Sequence, residues 1–311
     1  MSRRCGAALL LALLVGGACS KTLPRVSGKV LDARTDQPLA EVSVTTEILE
    51  AKTGQDGAFA LMEVPKNATI RFEKTNWRPR AAKVSKDGTM TVRLVPIPVL
   101  GKVTSALSGE GLLARLEGKI NEQTAPDGSF TVYGVGPGDG LRVSARFHES
   151  IEAPINANRS LAVKLNPARV DPESAFVPVE GYAFAQMPRQ LKEQLAADLY
   201  QDPDIAKANP LLAGRSVKQG PDSIAVAVAI AVDPGYAASP GTSEAFFERL
   251  AKDARTRPEM LTIAGTAVQL SQDRDGLKAL GWMRYTVFFV LAGENRPKLE
   301  ELARALIEAT R

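Results

Sequence analysis

Three places in the sequence hold residue types capable of chemistry. The first is Cys19 in "GGACS", a thiol that follows three small residues. The second is His148, the single histidine of the chain. The third is "QDRDGLK", where Asp273 and Asp275 set two carboxylates two residues apart. Each is short of partners. A histidine-based metal centre needs further His or Cys ligands, and the cysteines are Cys5 and Cys19 alone. A Ser-His-Asp triad would have to be built on His148, away from any nucleophile-elbow motif. The Asp273 run lacks the other ligand positions of a calcium loop, so an Asp-Gly hairpin is expected there. The stretch "GVGPGDG" from Gly134 follows a strand without opening a helix and reads as a turn rather than a phosphate loop. The expectation is a protein with no catalytic set, no metal and no cofactor; a hydrolase is the minor alternative.

Cys19 gains meaning from what precedes it. Arg3 and Arg4 form a positive start, Gly6 to Val15 is an apolar stretch, and Gly16, Gly17 and Ala18 are small. The apolar run is too short to span a bilayer, which favours a cleaved export signal. With its Cys after small residues, the segment resembles a bacterial lipoprotein signal peptide. It departs from that pattern at Gly16, where a bulky aliphatic residue is usual. The resemblance implies removal of residues 1–18, lipid on the Cys19 thiol and a short tether over 19–23. Ser20 in place of Asp implies the outer membrane, if the cell has one. Ordinary secretion with cleavage near Ala18 is the alternative. Each buried acyl methylene contributes about 0.8 kcal/mol, so two or three chains make a durable anchor. A chain begun at Cys19 keeps no cysteine for disulfides and must be stable by packing.

Composition narrows the partners. Of 311 residues, 44% are hydrophobic and 24% charged, enough to bury cores over two or three domains. Without Arg3 and Arg4 the 39 Lys and Arg fall to 37 against 35 Asp and Glu. That near-neutral balance gives no electrostatic footprint for nucleic acid. Aromatics are 5%, which weighs against aromatic platforms for glycans.

The elements come in a repeat. "TGQDGAFALMEVP" from Thr53 is echoed by "TAPDGSFTVYGVGP" from Thr124, at a spacing of 71 that also pairs Leu94–Pro96 with Leu165–Pro167. "SGKVLD" near Gly28 matches "LGKVTS" near Gly101 with two residues absorbed between. One unit of about 70 residues therefore occurs twice. Period-2 alternation and Gly, Pro and Asp turns read each unit as a small β-sandwich. Asp56-Gly57 and Asp127-Gly128 are expected in tight turns, with Phe59 and Phe130 entering cores. The order G-x-V-x-D, T-x-x-P-L, T-x-x-D-G-x-F, V-P, V-x-L-x-P resembles the carboxypeptidase regulatory-like domain, which implies a transthyretin-like β-sandwich over 24–96 and a divergent copy over 97–167. The second copy has lost the Pro-Leu turn in "LSGEGLLARLEGKI". The family's usual aromatic near a strand end maps onto Trp77 and, 71 residues on, His148. As exposed tips they would be the candidate ligand-binding residues; the favoured reading is that they cap the sandwich edge.

After a linker at 168–176 the pattern changes. "PRQLKEQLAADLY" places Leu191, Leu195 and Leu199 at helical spacing. "DSIAVAVAIAV" alternates Val and Ile with Ala225, Ala227, Ala229 and Ala231, a face on which a helix packs closely. "TSEAFFERLAKDA" reads as a helix capped by Thr242 or Ser243. "EMLTIAGTAVQLSQ" and "LKALGWMRYTVFFVLAG" read as strands, the apolar run Val287–Ala292 marking a central strand buried on both faces. "KLEELARALIEAT" closes as an amphipathic helix. Residues 177–311 are thus expected to form a self-sufficient α+β domain, helices on a mostly antiparallel sheet. Their element order is similar to PsbP-type or ferredoxin-like sandwiches. The chain as a whole reads as multidomain: two all-β sandwiches, then the α+β domain. The expected function is a non-enzymatic, lipid-anchored envelope protein whose sandwiches are spacers for a C-terminal domain that binds a partner protein. The alternative is an envelope glycan- or peptide-binding protein using the sandwich face.

Overall fold

The two Asp-Gly dipeptides form the turns that their sequence requires. In the computed structural model, which describes residues 25–65, 67–239, 241–250 and 258–310, Gly57 and Gly128 adopt φ of 70° and 80°. L side chains with a Cβ rarely adopt that region. The Asp56 carboxylate accepts from Ala58 N at 3.0 Å, and Asp127 accepts from Ser129 N at 2.9 Å. A Cβ on Gly57 would lie 2.5 Å from the Val30 carbonyl oxygen, and one on Gly128 2.1 Å from that of Val103. The turns therefore sit flush on the first strand of each repeat, and Phe59 and Phe130 enter the cores, 5% and 8% exposed.

The chain forms two compact units that divide between Ile97 and Pro98. The first is a two-sheet sandwich. Its strands are β1 (Val26–Asp32), β2 (Ser43–Thr45), β3 (Glu50–Lys52), β4 (Ala58–Leu61), β5 (Thr69–Glu73), β6 (Arg80–Lys83) and β7 (Thr89–Leu94). One sheet runs β4-β1-β7 and the other β3-β2-β5-β6. β5 shows the logic: Ile70 and Phe72 point inward and are fully buried, while Thr69, Arg71 and Glu73 are exposed. Phe59 of one sheet meets Phe72 of the other edge-on at 5.4 Å. Burying each such side chain contributes about 1.5–3 kcal/mol.

The second unit opens with the same sandwich again. β8 (Val99–Ser105), β9 (Ala114–Glu117), β10 (Asn121–Gln123), β11 (Ser129–Val132), β12 (Gly140–Ala145), β13 (Ile151–Pro154) and β14 (Ser160–Leu165) pair as β11-β8-β14 and β10-β9-β12-β13. The two copies correspond strand for strand. They also share a buried polar lock. Thr53 Oγ1 donates to the Leu39 carbonyl at 2.5 Å and accepts from Val42 N; Thr124 Oγ1 does the same with Leu112 at 2.6 Å and Ala114. The missing Pro-Leu turn turns out to be a substitution rather than a loss. Gly111 and Leu112 stand where Pro38 and Leu39 stand, and Leu112 N bonds Val103 as Leu39 N bonds Val30. A Cβ on Gly111 would lie 1.9 Å from the Asp127 carbonyl oxygen, so this approach requires glycine.

The segment read as a linker is docked. Its single 3-10 turn, Pro172–Ala175, buries Ala175 completely, and Asp171 caps it through Glu173 N. Then follow β15 (Ala183–Gln186), α1 (Arg189–Gln201), α2 (Pro203–Lys207), β16 (Leu211–Gln219), β17 (Asp222–Ala231), α3 (Pro234–Ala237), α4 (Thr242–Leu250), β18 (Glu259–Ile263), β19 (Thr266–Gln272), β20 (Lys278–Arg284), β21 (Val287–Gly293) and α5 (Arg296–Ala309). The strands form one seven-stranded sheet, β15-β16-β17-β21-β20-β19-β18, with every pair antiparallel. β21 is its middle strand, as its apolar run demands. The alanine face of β17 packs with Leu299, Leu302, Ala303, Leu306 and Ile307 of α5. The opposite face, with Val228, Ile230 and Phe288, packs with Leu199, Ile205 and Phe246 of the other helices. "QDRDGLK" is the hairpin turn expected: Asp273 accepts from Asp275 N and Leu277 N, both at 2.9 Å. Thr242 does not accept as a cap. It is the first helical residue, and its hydroxyl donates to the carbonyls of Tyr236 and Ser239, tying α4 to α3.

Gly57→Val is expected to destabilise the first sandwich by about 1–3 kcal/mol, through the positive φ and the clash with Val30. Gly128→Val should act likewise on the second unit. Chemical denaturation measures both, and an unchanged midpoint for either would contradict the turn assignment.

Candidate functional site

Cys19 and the whole signal segment lie outside the described residues. Trp77 and His148 lie inside them, one in each unit, and both occur at the same point of the repeat. Each follows a residue in the left-handed region, Asn76 at φ 72° and Phe147 at φ 62°, and each bridges to the proline that ends its sandwich, Pro96 or Pro167. Trp77 is half-buried against the core of the first sandwich, with the Lys74 ammonium 5.5 Å from its ring.

His148 is not an exposed tip. It is 7% exposed, and its ring meets Tyr285 edge-on at 4.3 Å. Its Nδ1 lies 2.7 Å from the Arg146 carbonyl oxygen, which fixes the neutral tautomer with Nδ1–H donating. Nε2 is then a buried acceptor without a hydrogen-bond partner. Burial, together with the nearby Arg284 guanidinium, pushes the imidazole pKa down. Arg284 pairs with Glu110 of the sandwich at 3.3 Å, and its guanidinium lies over Tyr285. Arg146 reaches the Ser174 carbonyl, and Thr286 Oγ1 donates to that of Ala168 at 2.7 Å. Arg169 pairs with Asp233 at 3.2 Å. The core of the second sandwich thus runs without a break into the α5 face of the sheet. His148 cements this contact, and the sandwich and the C-terminal sheet share one core where sequence suggested separate domains joined by a linker.

A second place has the geometry of a binding site. Between α1 and α4, over the valine face of the sheet, lies a cleft of about 190 Å³. Leu195 and Leu199 form one wall and Phe247 the other. The floor dips at β20, where Ala279 and Gly281 face the cleft, whereas Leu280 and Trp282 fill the opposite face completely. A Cβ on Gly281 would lie 2.5 Å from the Phe247 ring, which therefore lies directly on the strand. Gln269 and Ser271 of β19 supply the polar side chains of the lining. Sequence reasoning passed over this cleft. Its signal was Gln269, Ser271, Ala279 and Gly281, small or polar residues at the alternate positions of two strands whose other face is bulky. Among the described residues no group of three or more His, Cys, Asp or Glu is placed to hold a metal, and no helix is long and apolar enough to cross a membrane.

No family model and no curated protein matches the chain. Among solved structures, it is similar to the Bacillus anthracis TIE protein, with 11% identity over 53% of this chain and 39% of that one, at a TM-score of 0.29. It is also similar to the shaft pilin SpaA of Lactobacillus rhamnosus GG, with 9% identity over 47% of this chain and 98% of the pilin, at 0.20. A third is a protein described as membrane-associated and of unknown function from Bacteroides fragilis, with 13% identity over 63% and 94%, at 0.20. At these TM-scores none defines the fold or function of this chain. The sandwich architecture rests on the chain's own strand pairing.

The buried neutral His148 makes a pH prediction. A histidine whose folded pKa lies below its unfolded value near 6.5 leaves the unfolded state binding more protons. Stability of the second unit is therefore expected to fall as pH drops below about 6.5, until the depressed folded pKa is reached. His148→Phe keeps an edge-on ring against Tyr285 and should flatten the profile between pH 7 and 5. Urea denaturation across that range measures both chains; identical slopes would contradict this role.

Proposed function

We propose that this protein is a non-enzymatic, lipid-anchored component of a cell envelope, whose two β-sandwiches carry a C-terminal ligand- or partner-binding domain. The observation that carries the reading is the apolar cleft between α1 and α4. It is open, preformed and placed on the face of the sheet that the sandwich does not share. His148, the candidate of the sandwich-face reading in the second copy, is occupied by Tyr285, which argues against a ligand there. The N-terminal "GGACS" supports the anchor, with Cys19 as the lipidated residue. Strand-for-strand identity of the two sandwiches, with the repeated Asp-Gly turn and Thr lock, supports the carboxypeptidase regulatory-like assignment for both.

The anchor is tested by Cys19→Ser, which is expected to move the protein from the detergent to the aqueous phase. An unmodified mature N-terminus at another residue would overturn it. The division of labour is tested with fragments. Residues 98–311 are expected to fold and to retain the binding of the full chain. A fragment beginning at 177 loses Phe147 and Ala175 from the shared core, with His148 and the Ala168 carbonyl that Thr286 bonds, and is expected to unfold at lower urea than 98–311. Binding kept by residues 25–97 and absent from 98–311 would move the site to the first sandwich.

A further inference from the structure

We propose that the α1–α4 cleft binds one small, neutral, largely apolar ligand, a single aromatic ring or short alkyl chain carrying one hydrogen-bonding group. The inference rests on the reading of the C-terminal domain as the binding part, and it adds the chemistry of the ligand. Size is the first argument. An apolar cavity of about 150 Å³ takes a benzene-sized molecule, and this cleft offers about 190 Å³. That is room for one ring with a short substituent, and too little for a folded peptide segment or a sugar chain. Lining is the second. The described lining residues include no charged side chain. A carboxylate or ammonium taken into the cleft would lose its water without gaining a partner. The amide of Gln269 and the hydroxyl of Ser271 sit together on β19, both part-exposed. They can donate to or accept from a hydroxyl, carbonyl or amide at the outer end of the ligand, which fixes its direction.

The shape of β20 is the third argument. Leu280 and Trp282 on the α5 face are 0% and 1% exposed, so that side is packed tight. On the cleft face the same strand lines the space with Ala279 and Gly281, and the next residue of that face, Met283, packs against the core that holds Phe246 and Phe288. The Phe247 ring takes the place of a side chain over Gly281, so the open space above this strand lies over Ala279. A ligand that fills the cleft binds the folded state alone and so raises its stability.

The experiment titrates benzyl alcohol, 1-hexanol and benzoate into the full mature chain, followed by amide chemical shifts and by the thermal midpoint. Benzyl alcohol and 1-hexanol are expected to shift the amides of Gln269, Ser271, Ala279 and Gly281 and to raise the midpoint. Benzoate should bind at least about tenfold more weakly because its charge is left unpaired. Ala279→Leu, which fills the floor of the cleft, should abolish the shifts while keeping the wild-type midpoint or raising it. Ser271→Val provides a second variant, expected to lower benzyl alcohol affinity relative to toluene without changing the fold. Shifts that are absent or map away from the cleft would overturn the proposal, as would equal affinity for benzoate, or unchanged binding by a folded Ala279→Leu chain. If that happens while residues 98–311 still retain the binding of the full chain, the ligand class fails and the binding reading of the domain stands. If 98–311 retains no binding either, both fail.

Discussion

A strand that is apolar on both faces cannot stop at one layer. β21 presents Phe288 and Val290 to one side and Val287, Phe289 and Leu291 to the other. Its neighbours follow suit, so the seven-stranded sheet must be covered twice. α5 covers the alanine face closely because Ala227, Ala229 and Ala231 let the helix approach. It does not cover that face alone. The second sandwich, through Phe147 and His148, continues the same core. The other face is covered by α1 to α4, and among the described residues a cleft remains over Ala279 of β20. Fusion on one side and a cleft on the other are two outcomes of the same requirement.

The repeat shows how one copy came to serve that requirement. At the turn that bridges to each terminal proline the chain uses a left-handed residue. In the first sandwich it is Asn76, a residue that adopts this region at low cost. The second uses Phe147, for which the same backbone is costly. The ring is 4% exposed, and the apolar surface it buries offsets the strain. One residue later, a half-buried tryptophan in the first copy is a fully packed histidine in the second. The same backbone geometry thus closes an edge in one sandwich and builds an interface in the other.

Local signals were legible in the sequence. The Asp-Gly turns, the alternation of β17, the central position of β21 and the buried stripe of α5 all follow from spacing over a few residues. Non-local features were not. Nothing near His148 announces Tyr285, which is 137 positions away in sequence, so the aromatic family position read as an edge cap or exposed tip and not as an interface. The turn at Tyr285–Thr286 lacks Gly, Pro, Asn or Asp; Tyr285 takes φ 55° in the two-residue hairpin between Arg284 and Val287, and its ring packs against Arg284 and His148. Gly111 hid its equivalence to Pro38 because the match lies in backbone position, with no likeness of side chain. The cleft was hidden because small residues in a strand read as helix-packing positions, as they are in β17, until the opposing helices are in place.

The first and last strands of each sandwich lie side by side and parallel. β1 pairs with β7 over six residue pairs, Ser27–Thr89 to Asp32–Leu94, and β8 pairs with β14 over six, Ser160–Leu100 to Leu165–Ser105. In a parallel pair the chain enters at one end of the ladder and leaves at the other. Tension between the two termini of a module therefore runs along the strands, as shear. All six pairs share the load at once and none can be peeled from an end. Antiparallel terminal strands would unzip one bond at a time under the same pull. A module of this design resists stretching through its connectivity, in addition to the depth of its core.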